Sequence, residues 1–189
     1  LYVLAVFGQT SHASIQGIVG TTMTNFGLEL ACRERGIEFE RSNVGDRFVL
    51  ETMYARNWSL GGETSGHIIQ LDKSTTGDGL VTAISVLQVM HSTDRTLSEL
   101  VSGLQIYPQR MVNVPVNRFV SAADLLTDET IVSAVREAES ALNCNGRVVL
   151  RPSGTEPVIR VMVEGIDTEQ VDMLSEQLTV VVENASANY

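Results

Sequence analysis

Of 189 residues, 43% are hydrophobic, enough apolar surface for one large core or two small ones and too much for a disordered chain. No apolar run reaches the roughly 18 residues that a membrane-spanning helix needs. The balance is acidic, 23 Asp plus Glu against 13 Lys plus Arg for a formal net of -10, which disfavours nonspecific binding to nucleic acid or to an anionic membrane.

Residues 1–7 are apolar throughout, a pattern that a buried strand and the end of a buried helix share. The chain opens here on Leu1 with no positively charged stretch before it, which reads as a poor signal peptide and as a processed product or excised fragment. Residues 8–16 are polar and read as a loop; 17–23 are compact and β-branched, a buried strand. Asn25 is placed to cap a helix that stops at Gly36. The alternation of 37–44 predicts a second strand, and 47–57 set Phe48, Val49, Met53 and Tyr54 at helical spacing, with Asp46 read as the N-cap ahead of the other reading, a ligand contact. Residues 58–62 and 67–71 are short strands around a glycine-rich loop. Thr76 or Asp78 caps a helix over 80–90, and 96–104 form another with Leu97, Leu100, Val101 and Leu104 on one side.

The pattern changes after Gly103. Residues 109–119 alternate like a strand, 128–142 are a periodic helix with acidic residues at its start, 147–150 and 158–163 are strands flanking a turn-rich loop, and 167–184 are a final helix. The expected fold class is α/β: a three-layer α/β domain with a mixed sheet over 1–104, then a small α+β domain over 105–189 with a mostly antiparallel sheet packed on two helices. Cys32 and Cys144 have neither metal-ligand spacing nor a disulfide framework, which suits a reducing cytoplasm. Twelve of the 13 basic residues are arginine and only Lys73 is lysine; arginine suits bidentate recognition of carboxylate or phosphate.

Two loops carry candidate chemistry. GGETSGH, residues 61–67, interleaves Glu63, Ser65 and His67 with three glycines, and a carboxylate, a hydroxyl and an imidazole pointing one way suit vicinal sugar hydroxyls. The same seven residues also suit a tight hairpin with polar decoration. RPSGTEPVIR, residues 151–160, offers the Arg151 guanidinium fork, the hydroxyls of Ser153 and Thr155, and successive backbone N–H groups through Gly154 as an anion nest. An ordinary hairpin with an Arg–Glu surface pair is the other reading. Residues 147–164 hold three arginines against two glutamates, inside a segment after residue 104 with 6 basic and 12 acidic residues. That local reversal of charge is what anion binding requires. Lys73, Arg47 and Arg160 are further candidate contacts; His12 and His91 have no metal-type neighbours in sequence.

GGETSGH followed about 90 residues later by RPSGTEPVIR resembles the α-D-phosphohexomutase superfamily. Within it, VGDRFV (44–49), LDKSTTGDG (71–79) and RVMVEG (160–165) are most similar to the bacterial phosphoglucosamine mutase family. The resemblance covers essentially the whole chain. It implies that residues 1–104 correspond to a third domain whose Glu63, Ser65 and His67 contact the sugar. Residues 105–189 then correspond to a fourth domain whose Arg151, Ser153, Gly154 and Thr155 bind phosphate, and 1–5 to the tail of a helix. The implied activity interconverts glucosamine 6-phosphate and glucosamine 1-phosphate through a phosphoserine enzyme. A hexosamine bisphosphate serves as intermediate and activator, with Mg²⁺ as cofactor. The family's phosphoserine loop and its Asp-x-Asp-Gly-Asp metal loop have no counterpart: Ser11-His12-Ala13 lies in the wrong context, and 77–79 offer one carboxylate. No catalytic or metal residue is therefore expected in this chain, and the fragment is expected to be inactive without the missing N-terminal domains. The implied setting is cytoplasmic, with a phosphosugar as partner, no nucleic acid and no membrane; an oligomer is left open. The alternatives are another hexose-phosphate mutase, such as a phosphomannomutase/phosphoglucomutase, and a non-catalytic anion-binding module.

Overall fold

The computed structural model describes residues 1–8, 15–117, 121–153 and 156–187. It divides into two compact units, Leu1–Ile106 and Tyr107–Tyr189.

The first unit runs α1 (Tyr2–Phe7), β1 (Gly17–Thr21), α2 (Phe26–Arg33), β2 (Glu38–Ser42), α3 (Asp46–Arg56), β3 (Leu60–Gly62), β4 (Ile68–Gln70), α4 (Gly79–Thr93) and α5 (Leu97–Val101). The apolar start is a helix. Local chemistry sets most helix ends. The Asn25 side chain accepts from Gly27 N at 3.0 Å to start α2, and Asp78 accepts from Leu80 N and Val81 N to start α4. Thr96 and Glu99 form a reciprocal capping box on α5. Helices α3 and α4 end on Asn57 and Asp94 in the left-handed conformation that short Asx side chains tolerate.

The sheet order is β2-β1-β3-β4, with β1 parallel to β2 and β3 and only β4 antiparallel. Successive strand residues face opposite sides. Ile18, Leu60 and Ile68 meet α1, α2, α4 and α5 on one side, and Val19 and Ile69 meet Val49 and Met53 of α3 on the other. The result is three layers with a mixed sheet.

Periodicity overstates burial on two helices. Val49 and Met53 of α3 are buried, but Phe48 and Tyr54 are 41% and 62% exposed. On α4 the inward residues are Ser85 and Val89, while Leu80, Ile84 and Leu87 face outward. A polar contact accompanies that register: Lys73 Nζ donates to Ser85 Oγ at 2.7 Å and to Gln70 Oε1 at 3.2 Å, tying α4 to the end of β4.

The second unit runs β5 (Gln109–Pro115), α6 (Ala122–Leu125), α7 (Glu129–Leu142), β6 (Gly146–Pro152), β7 (Val158–Gly165) and α8 (Thr168–Ala187). Its sheet, β5-β7-β6, is wholly antiparallel. Val114, Val148, Ile159, Val161 and Val163 pack on α7 and α8 through Ile131, Leu142, Val171, Leu174, Leu178 and Val182. Residues 118–119, the end of the expected first strand, lie outside the described residues. Among the described residues, no helix is long and apolar enough to cross a membrane.

Candidate functional site

The sugar-loop candidates sit on the β3–β4 hairpin. Gly61 and Gly62 are buried strand residues, paired with Ile69 and Ile68, so only Gly66, at φ +92°, supplies the open turn geometry expected of all three glycines. Glu63 and His67 close the turn through Glu63 N to His67 O at 3.1 Å, and Gly66 N donates to Glu63 O at 3.1 Å.

The three side chains do not project together as a free constellation. Glu63 Oε1 accepts from Gly45 N at 2.8 Å, which ties the hairpin to the turn before α3. His67 Nε2 lies 3.6 Å from Asp46 Oδ2, and that nitrogen is enclosed without a hydrogen-bond partner. Of the three, only Ser65 stands exposed, at the tip. The expected N-cap role of Asp46 is not what the helix uses. Gly45 occupies that position, with no side-chain cap, and Asp46 is the first helical residue, its Oδ1 accepting from Arg47 N. Freed from capping, the Asp46 carboxylate turns toward His67.

Other candidates are placed elsewhere. Arg47 pairs with Glu51 one turn along α3 at 2.8 Å, on a side chain 82% exposed; that bond raises the guanidinium's already high pKa. Lys73 lines a cavity of about 340 Å³ with Leu4, Phe7, Gln70, Ser85 and Thr93, to which none of Glu63, Ser65 and His67 contributes.

In the second unit, the alternation of β6 and β7 puts Arg147, Val149 and Arg151 and their partners Glu164, Met162 and Arg160 on the sheet face away from α7 and α8. Arg147 Nε donates to Glu164 Oε2 at 2.8 Å, and Glu164 is completely buried, so this pair belongs to the fold. Arg151 stands directly opposite Arg160, and each has its Nε enclosed without a hydrogen-bond partner. Like charges opposite each other across two strands repel, and two guanidinium groups with unused donors suit a bidentate anion such as phosphate. The expected nest is smaller than its sequence suggests. Ser153 N donates to Val158 O at 2.9 Å, closing the hairpin, and is therefore not available to a ligand. Gly154 and Thr155 lie outside the described residues, as do Ser11, His12 and Ala13.

Sequence reading missed the Gly45–Asp46 turn as part of the hairpin's surroundings, and it missed the Arg147–Glu164 pair. The VGDR motif and the shared two-residue alternation of Arg147, Arg151, Arg160 and Glu164 were the available signals.

Two family models match: phosphoglucomutase/phosphomannomutase, alpha/beta/alpha domain III, over residues 1–107, and the phosphoglucomutase/phosphomannomutase C-terminal domain over residues 111–179. Phosphoglucosamine mutase of Halorhodospira halophila is 51% identical over 187 residues, 98% of this chain and 40% of that protein. The Cellvibrio japonicus phosphoglucosamine mutase is 47% identical over 98% of this chain and 41% of its own length. The chain thus spans about two fifths of the curated relatives it matches. Among solved structures, Aspergillus fumigatus N-acetylphosphoglucosamine mutase superposes with a TM-score of 0.73 at 18% identity, over 90% of this chain and 38% of that one. A crystal structure of the same fungal mutase in complex with GlcNAc-6P and magnesium gives 0.67, again at 18% identity, over 90% of this chain and 39% of that one. At such identities the likeness is one of fold.

Proposed function

The chain belongs to the phosphoglucomutase/phosphomannomutase family of the α-D-phosphohexomutase superfamily, and from that premise we propose that it carries the sugar- and phosphate-recognition elements of a phosphoglucosamine mutase. The observation that carries this reading is Arg151 opposite Arg160 with both Nε donors enclosed and unpaired. The whole enzyme interconverts glucosamine 6-phosphate and glucosamine 1-phosphate through a hexosamine bisphosphate. In this chain Arg151 and Arg160, with Ser153, Gly154 and Thr155, hold a phosphate, and the Glu63–His67 hairpin reads the sugar hydroxyls.

The residues present do not fit the family's magnesium ion. No group of three His, Cys, Asp or Glu side chains gathers among the described residues, and Asp78, the one carboxylate of the TTGDG turn, is committed to capping α4. The family resemblance assigns the metal and the phosphorylated serine to N-terminal domains of the whole enzyme, and this reading follows it. The setting is the cytoplasm, where Cys32 and Cys144 stay as thiols.

Titration calorimetry tests the reading. Glucosamine 6-phosphate binds the chain more tightly than inorganic phosphate, and Arg151→Ala weakens both. Equal affinity for the two ligands, or indifference to Arg151→Ala, rejects it.

A further inference from the structure

His67 is held from two sides by groups that are not part of its own hairpin. On one side Asp46 Oδ2 lies 3.6 Å from Nε2. On the other is Gly77 of the TTGDG turn, where an added Cβ would overlap the imidazole, at Nε2, Cδ2 and Cε1. Asp78 N donates to Ile68 O at 3.3 Å, fastening this turn to the residue that follows His67. The His67 side chain is 37% exposed although Nε2 is enclosed, so the open part of the ring is the edge turned away from Gly77 and Asp46.

The backbone of Gly77 lies outside the left-handed region, so what requires glycine there is space and not φ. The three atoms nearest to a methyl group at this position all belong to the far end of the His67 side chain and none to backbone, so the imidazole is the group that has to give. A substitution at 77 therefore moves the imidazole and spares the fold.

We propose that Gly77 is a positioning residue of the sugar site: the absence of a side chain at 77 fixes the angle at which His67 presents its open edge to a phosphosugar. This rests on the sugar-binding role given to His67 above. It ties the TTGDG turn, which has no ligand-binding role of its own in that reading, to recognition of the sugar.

The test combines Gly77→Ala, His67→Ala and the double variant, with Gly79→Ala as control, because a Cβ at Gly79 meets nothing within 4 Å. Without ligand, Gly77→Ala shifts the His67 ring resonances in ¹H–¹³C spectra and leaves the melting temperature unchanged, whereas Gly79→Ala leaves the ring resonances in place. With glucosamine 6-phosphate, Gly77→Ala and His67→Ala each lose about tenfold in affinity, as one hydrogen bond is worth. The double variant loses no more than His67→Ala alone. Unmoved ring resonances, or losses that add in the double variant, overturn the positioning role while leaving the sugar site intact. Full affinity in His67→Ala overturns the sugar-loop reading itself and the positioning role with it.

Discussion

Arg151 and Arg160 face each other across β6 and β7 at a distance set by the ladder, so their mutual repulsion is built into the hairpin. Replacing either one relieves that repulsion and removes donors an anion would use. Arg160→Gln should leave the melting temperature of the phosphate-free chain unchanged or raised, while weakening phosphate binding by about ten- to a hundredfold, the range for hydrogen bonds to a charged group. A melt and a phosphate titration on the same variant check both halves. Charge counting alone would make Arg147 a third anion contact on the same face, but it is engaged with the buried Glu164. Arg147→Ala should destabilise the second unit by about 3 kcal/mol in denaturant titration, because it removes an ion-pair partner of an enclosed carboxylate. The two thiols differ as sharply. Burial pushes the Cys32 thiol up to about 11, whereas Cys144 is exposed. At pH 8 one thiol per chain should react quickly with a disulfide reagent, and Cys144→Ser should abolish that phase. Because the native state keeps the Cys32 proton above pH 9 while the unfolded state releases it, this group lowers stability as pH rises from about 9 to 11.

At the level of elements, the parts legible in the sequence are those governed by neighbours in the chain. Asn25, Asp78, Thr96 and Asp128 cap helices through contacts two or three residues away, and each is readable as such or as the start of an acidic turn. Asp78→Ala should cost about 1 kcal/mol, measured by chemical denaturation. Burial of helix faces is less legible. Residues 80–90 are apolar on most faces, so their sequence does not say that Leu80, Ile84 and Leu87 are exposed while Ser85 is buried against Lys73, a partner twelve residues upstream. Ile84→Ser should accordingly change stability by no more than about 0.5 kcal/mol. The site divides in the same way. The placement of Arg147, Arg151, Arg160 and Glu164 on one sheet face is readable because these charges alternate within one β-hairpin. The surroundings of His67 are not, because Asp46 and Gly77 reach it from 21 residues before and ten after, through the packing of separate elements.

For the whole molecule, the three-layer unit and the antiparallel unit each carry one of the two proposed recognition loops, and neither gathers a cluster of metal ligands among the described residues. Because the family resemblance assigns the phosphoserine and the metal loop to N-terminal domains, the chain by itself is expected to show no interconversion of glucosamine 6-phosphate and glucosamine 1-phosphate in a coupled assay. The acidic total matters little to phosphate binding, since the arginines of β6 and β7 act over a few ångströms while surface charges farther away are screened within about 10 Å. The most direct measurement is a ¹H–¹⁵N titration of the chain that follows the Nε–H signals of Arg151 and Arg160 and the amides of residues 63–67. Inorganic phosphate should move the arginine signals alone, and glucosamine 6-phosphate should move both sets. Arginine signals that respond to neither ligand, or hairpin amides that ignore the sugar, would contradict the assignment of these two loops to a phosphosugar.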